Sequence, residues 1–412
     1  MRLLTKKRVL VLSLCGFSSA GFSQLLPIQY DTLIRSQEII ASGNGEYSTS
    51  GIENALSSKF ILGGFVTDEI KDASFDHHKG INRAGGFLNA ELEYRNYNVK
   101  LFKNKDWGIV GKAGYSVFGG MLYSKDTYGL AMYGNSRYLG DTAELSGLDM
   151  GYTFYQKIGF GFIDRKTKSS ITLNAYNVSN YGFGGLRQGT LIQDANGDTI
   201  QLVMDGEFAF TNSNNFNQGL GFGVDVDVKM PISIKEGEVA YVQFQARNIG
   251  VAHLYEKQKV YRVDSTFTYS GFELNQLFGD EAVILDSISV LDTLGVSSSL
   301  EKRTFLLPGF IQVGKIVDRS KDKTLQSFFG IRLFPTLIYV PYLYAGAHIK
   351  ATDWLSFGAN VGYGGFTNFR GGVYSSFDWK SVSLGIATED IIGALSKKGR
   401  GQSLYVRLRC AF

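Results

Sequence analysis

Residues 403–412 read Ser-Leu-Tyr-Val-Arg-Leu-Arg-Cys-Ala-Phe. Leu404, Val406, Leu408, Cys410 and Phe412 alternate with Ser403, Tyr405, Arg407, Arg409 and Ala411. Successive side chains of a strand point to opposite faces, so one face is wholly apolar and the other carries two arginines. In a soluble sandwich the apolar face would meet a core. In a membrane barrel it would meet lipid, with the arginines in a wet interior.

Composition favours the second geometry. Fifty Gly, 23 Tyr and 30 Phe stand against 5 Pro, and mean hydropathy is −0.04. Glycine- and aromatic-rich chains without long apolar runs suit large antiparallel barrels. The one continuous apolar run, Val9–Leu14, follows Arg2, Lys6, Lys7 and Arg8 and precedes Ser18-Ser19-Ala20-Gly21. This pattern predicts a signal peptide over 1–23, too short to cross a bilayer as a helix. Its four basic residues account for the whole formal charge of +4. The rest of the chain is neutral, which argues against a nucleic-acid partner. Cys15 leaves with the signal, and Cys410 on the apolar face of its strand reads as a small buried hydrophobe.

Alternating segments of about ten residues recur from there, the length of a tilted membrane-crossing strand. Leu88, Ala90, Leu92 and Tyr94 oppose Asn89, Glu91, Glu93 and Arg95; Leu220, Phe222, Val224, Val226 and Val228 oppose Gly221, Gly223, Asp225, Asp227 and Lys229. Counting back from Phe412 predicts an all-β, single antiparallel transmembrane barrel of about fourteen strands (range about 12–16). The strands fall near 58–66, 85–97, 107–118, 148–162, 169–180, 218–230, 238–249, 305–317, 324–334, 338–350, 354–364, 366–377, 380–388 and 402–412. Trp107, Trp354 and Trp379 mark strand ends, as interfacial girdles do. Short periplasmic turns would alternate with long extracellular connections over 67–84, 119–147, 181–217, 250–304 and 389–401. The expected domains are a periplasmic or plug segment over 24–57 and a barrel over 58–412, whose closing strand pairs near Lys59–Phe65. Within the outer loops, a short helix is expected over 128–133, ended by Gly134-Asn135. A hairpin is expected around Asn196-Gly197. The insert 250–304 carries Leu277, Ile284, Leu285, Ile288, Leu291 and Leu294 at helical spacing, which reads as a lid or lumen insert.

The terminal strand ending on Phe412 resembles the assembly signal of bacterial outer-membrane barrels. Tyr133-Gly134-Asn135…Gly140, Arg247-Asn248-Ile249-Gly250, Tyr269-Ser270-Gly271-Phe272, Leu307-Pro308-Gly309-Phe310 and the Gly/aromatic meander from 338 to 412 resemble an uncharacterised family of Bacteroidota outer-membrane barrels. That family is similar to the PorP/SprF-like accessory proteins of type IX secretion and gliding. The resemblance implies a Gram-negative outer membrane, with outer-membrane lipid, the barrel-assembly machinery and periplasmic or secretion-system proteins as partners. A more distant similarity to FadL-type channels for hydrophobic compounds rests on size and strand number.

Chemistry-bearing constellations are sparse. Asp76-His77-His78 lacks further metal ligands at a recognisable spacing and reads as a solvated loop. His348 falls on the lumen face without a Ser or Asp partner, and His253 starts the largest loop. Asp194-Ala195-Asn196-Gly197-Asp198 lacks the later glutamate of a calcium loop and reads as a turn. No catalytic, cofactor or metal site is expected. By parity the lumen receives Glu91, Glu93, Arg95, Lys112, Asp149, Lys157, Asp225, Asp227, Lys229, Arg332, Arg370, Arg407 and Arg409. These charges either line a selective pore or fill and rigidify a closed interior. Two functions follow: a non-enzymatic channel or transporter for small solutes, apolar ones included, gated by 250–304; or an accessory barrel that docks secretion or gliding partners.

Overall fold

The computed structural model describes residues 36–99, 106–212, 215–235, 238–270, 295–318 and 323–412. Among these residues seventeen strands form one sheet, and fourteen of them close into an antiparallel cylinder. The cylinder comprises β1 (Gln37–Thr49), β2 (Ile81–Asn96), β3 (Trp107–Ser124), β5 (Leu148–Asp164), β6 (Ser170–Gln193), β8 (Gly219–Lys235), β9 (Glu238–Tyr269), β11 (Phe310–Ile316), β12 (Leu325–Leu333), β13 (Val340–Lys350), β14 (Leu355–Gly365), β15 (Phe369–Trp379), β16 (Val382–Thr388) and β17 (Gly401–Ala411). The seam joins β17 to β1 from Glu38↔Ala411 to Ser48↔Gly401. Closure removes the unpaired edges an open sheet would present.

The first strand is therefore 37–49, not 58–66, and the expected pairing near Lys59–Phe65 is wrong. Residues 58–62 belong to α1 (Asn54–Leu62). The physical reason lies in β1's outward face, Ile39, Ala41, Gly43, Gly45 and Tyr47, whose small residues leave little alternation to read. The Phe60-Ile61-Leu62 run outshone it.

Outward side chains form an apolar belt, with Ile158 73% and Leu173 74% exposed. Trp107, Trp354 and Trp379 all sit at the short-turn end, so the girdle marks one rim. At the opposite end several strands continue past the cylinder. The lower part of β6 pairs with β8, whereas Gly182–Gln193 pairs with β7 (Ile200–Thr211). The upper part of β9 pairs with β7 and with β10 (Val296–Leu306). With β4 (Thr142–Glu144) on β6, these strands form a flap standing above the barrel. Much of 250–304, expected as a loop, is thus the continuation of β9 and its partner β10. The apolar stripe from Leu277 to Leu294 and the signal segment 1–23 lie outside the described residues. Two further expectations hold: α3 (Lys125–Tyr133) ends at Gly134, and the β6–β7 hairpin turns where Gly197 takes φ +81°.

Candidate functional site

Side chains from strands that are not hydrogen-bonded neighbours can meet only through the barrel interior, and the predicted lumen charges do so. Glu91 on β2 contacts Lys157 on β5 at 2.5 Å and Arg247 on β9 at 3.3 Å. Lys157 also reaches Asp225 on β8 and Asn248, each at 3.0 Å, and Lys112 joins Asp225 at 3.2 Å. Asp227 is held by Lys229 at 3.1 Å and accepts from Gln243 at 2.8 Å. Nearer the short-turn rim, Glu38 collects Arg409 at 2.7 Å, Lys168 at 3.0 Å and Arg95 at 3.6 Å, and Arg95 holds Glu93 at 2.6 Å. Across the seam Arg370 reaches Glu46 at 2.5 Å, and Arg332 pairs with Glu389 at 3.0 Å while donating to Gln312 at 2.8 Å. Buried charges are tolerable only when paired and hydrogen-bonded together, as here. Between Glu91, Ser116, Lys157, Arg247, Asn248 and Phe310 only about 10 Å³ is free, room for a single water at most. Around these six residues the side chains pack closely. Arg407 shares the parity of Arg409, yet no ion pair joins it among the described residues. Asp149 lies higher, at the mouth.

Above this layer the chain plugs itself. Residues 334–339, which link β12 to β13, turn inward. Phe334 lies 5.5 Å from Phe87, 5.5 Å from Phe118, 5.6 Å from Phe310 and 4.6 Å from Tyr339, centroid to centroid. Such offset and tilted pairs add to the gain from burial. Phe366, from the β14–β15 connection, packs edge-on to Tyr339 at 5.1 Å. The seat is a pair of facing glycines, Gly85 on β2 and Gly120 on β3. A Cβ on Gly85 would enter the Phe366 ring, and one on Gly120 would stand 2.8 Å from Ile338 Cγ2. Pro335 supplies no ladder donor and holds Phe334 extended, ending β12 there.

The tip of the plug, Leu337, is 79% exposed upward. It floors a cavity of about 850 Å³ walled by Ile81, Leu122, Leu148, Phe183, Leu186 and Val263. Asp149, Arg187, Asp205, Glu207, Arg262 and Asp264 stand around it. Arg187 binds Asp205 at 2.7 Å, and Arg262 bridges Glu207 at 2.8 Å and Glu301 at 2.6 Å. The hydrogen bond from Arg262 holds the Glu301 carboxyl down to about 2. Apolar walls with a few oriented charges at this volume suit a small molecule.

Helices cover the neighbouring part of the mouth. Leu56 of α1, Tyr123 of β3 and Tyr128 of α3 form a buried cluster with α2 (Asp68–His77) beside them. His78 donates from Nδ1 to Ser74 O at 2.7 Å, so Nε2 accepts from Tyr123 at 3.0 Å. Burial pushes its pKa below 6.5. His77 meets Glu53 at 3.0 Å. The solvated-loop reading of 76–78 is corrected: the helix C-terminus packs His78 into the cap. His348 is buried against Tyr374 at 2.7 Å, and His253 faces Thr304 across β9 and β10 at 2.8 Å. No three metal-ligating residues gather among the described residues. Asp194 accepts from Thr199 N at 2.8 Å within the hairpin turn. Cys410 is only partly buried, because it stands on the outward face, where no second layer of protein covers it. Phe412 N donates to Gln37 O at 3.0 Å.

Sequence reasoning missed the plug and the cavity. The apolar run broken by Pro335 at the loop end was the available signal; the cavity walls come from segments too far apart in sequence to be associated.

No protein-family model matches the sequence, and no curated protein does. Among solved structures, the chain is similar to the P. putida toluene transporter TodX, at 10% identity and TM-score 0.40, covering 92% of this chain and 90% of that one. The Ralstonia pickettii toluene transporter TbuX matches at 10% identity and TM-score 0.38, covering 96% of each. The translocator domain of the autotransporter NalP from Neisseria meningitidis matches at 9% and 0.28, covering 99% and 95%. Likeness this slight says nothing of the solute.

Proposed function

We propose that the chain is a non-enzymatic outer-membrane barrel whose long-loop end faces outward and whose vestibule captures a small apolar or amphipathic solute. The observation that carries this reading is that one segment has two roles. Leu337 floors the vestibule while Phe334 and Ile338, beside it in sequence, close the lumen. A solute seated on Leu337 can bias the plug between its seated and withdrawn states. This reading puts the gate at 334–339, whereas the sequence alone puts it at 250–304. The apolar belt and the one-sided tryptophan rim support the membrane setting. The accessory-barrel reading rests on the sequence resemblance alone. Replacing Phe334–Ile338 by a Gly-Ser linker of equal length and measuring uptake of a small aromatic solute into proteoliposomes tests the proposal. Faster uptake is expected; a rate equal to the parent barrel's would overturn it.

A further inference from the structure

Two helices at the loop end reach the outer wall, one of them α1, whose Leu56 is also buried in the cap over the mouth. Tyr47 stands on the outward face of β1, and its hydroxyl donates to Asn54 Oδ1 of α1 at 2.6 Å. Asn54 Nδ2 donates in turn to Gly393 O, in α4 (Ile391–Leu395), at 2.8 Å and to Gly401 O on β17 at 3.0 Å. Ile391 Cγ2 lies 3.9 Å from where a Cβ would stand on Gly371, which shares the outward face of β15 with Phe369 and Val373. The two helices are one collar, tied to each other and continuous with the lipid-facing wall.

The collar leaves large apolar side chains exposed. Leu62 is 81%, Phe65 82% and Leu395 82% exposed, and Phe60, Ile61 and Ile392 are exposed beside them. Basic residues lie beside these in sequence: Lys397 and Lys398 are exposed, Lys59 lies on α1, and Ala55 N donates to Lys397 O at 2.8 Å. Apolar side chains next to lysines match the boundary of a bilayer, where the former enter the upper acyl layer and the latter reach headgroup phosphates. We propose that α1, residues 63–65 and α4 form an interfacial anchor that binds anionic, phosphate-bearing lipid in the leaflet at the loop end. This rests on the membrane reading above. Continuity with the outer wall and the neighbouring lysines select lipid over a second copy or another protein.

The test uses the full barrel in liposomes, with Phe65→Cys or Leu395→Cys in a Cys410→Ser background, each labelled with bimane. Leu173→Cys, in the middle of the lipid-facing belt, and Asp198→Cys, on the exposed hairpin turn, are controls. Labels at 65 and 395 should be quenched by nitroxide lipid and shielded from aqueous iodide. Nitroxide phosphatidylglycerol should quench more strongly than nitroxide phosphatidylcholine. Lys59→Gln, Lys397→Gln and Lys398→Gln should each weaken that preference, on the order of fivefold per lysine. If Leu173→Cys is unquenched, the barrel is not in the bilayer and the membrane reading itself fails. If it is quenched while 65 and 395 are as open to iodide as 198, the anchor is refuted and the barrel stands. Shielding that vanishes on dilution of protein in lipid would assign the patch to a second copy, also refuting the anchor.

Discussion

Lys157 Nζ on β5 lies 2.5 Å from Glu91 Oε2 on β2, although β3 runs between the two strands. The contact spans the interior curve of the barrel, and Lys157 is shared with Asp225 at 3.0 Å. Removing Lys157 takes the nearest cation from both buried carboxylates and leaves Glu91 with Arg247 at 3.3 Å and Asp225 with Lys112 at 3.2 Å. Lys157→Met should therefore destabilise the refolded barrel by about 3–5 kcal/mol, read from urea unfolding followed by heat-modifiable gel mobility. Adding Glu91→Leu should recover part of that loss, because the two effects are coupled. Strictly additive losses would show that the pair contributes nothing as a pair.

The facing glycines Gly85 and Gly120 leave no room for a side chain beneath the plug. Gly120→Val should displace Ile338 and cost about 1–3 kcal/mol through overpacking, while raising solute uptake. Gly111→Ala, also on β3 but with nothing within 4 Å, should leave both unchanged. Equal behaviour of the two variants would remove the steric seat from the account.

The cap over the mouth should loosen in acid. His78 is buried neutral, with its pKa pushed down by burial. The unfolded cap binds the proton more readily, so the stabilisation is complete above the ordinary value of 6.5. It is lost as pH falls through that value toward the lowered one. Protease nicking between α1 and α2, which flank Gly63-Gly64, should increase over that window. In His78→Gln the nicking rate should no longer follow pH there; a dependence unchanged from the parent would assign the effect to another group.

Much of this architecture is legible in the residues. Leu404 to Phe412 set the parity from which Glu91, Glu93, Arg95, Asp225, Asp227 and Arg332 were placed inward, and all six are buried there. Parity tells which side a residue faces, but not whether the space it faces is open. That depends on Lys157 reaching three other strands and on Phe334 turning in, contacts between segments far apart in sequence. β1 escaped notice because a glycine-rich outward face carries little hydrophobic alternation, whereas Lys59-Phe60-Ile61-Leu62 has the composition of a strand and forms a helix.

A reversible tether tests the plug at 334–339 most directly. Gly120→Cys with Ile338→Cys, in a Cys410→Ser background, joins positions in contact in the closed barrel. Uptake of a small aromatic solute into proteoliposomes should be blocked when the pair is oxidised and restored on reduction. Equal uptake in the oxidised and reduced forms would contradict a gate at 334–339.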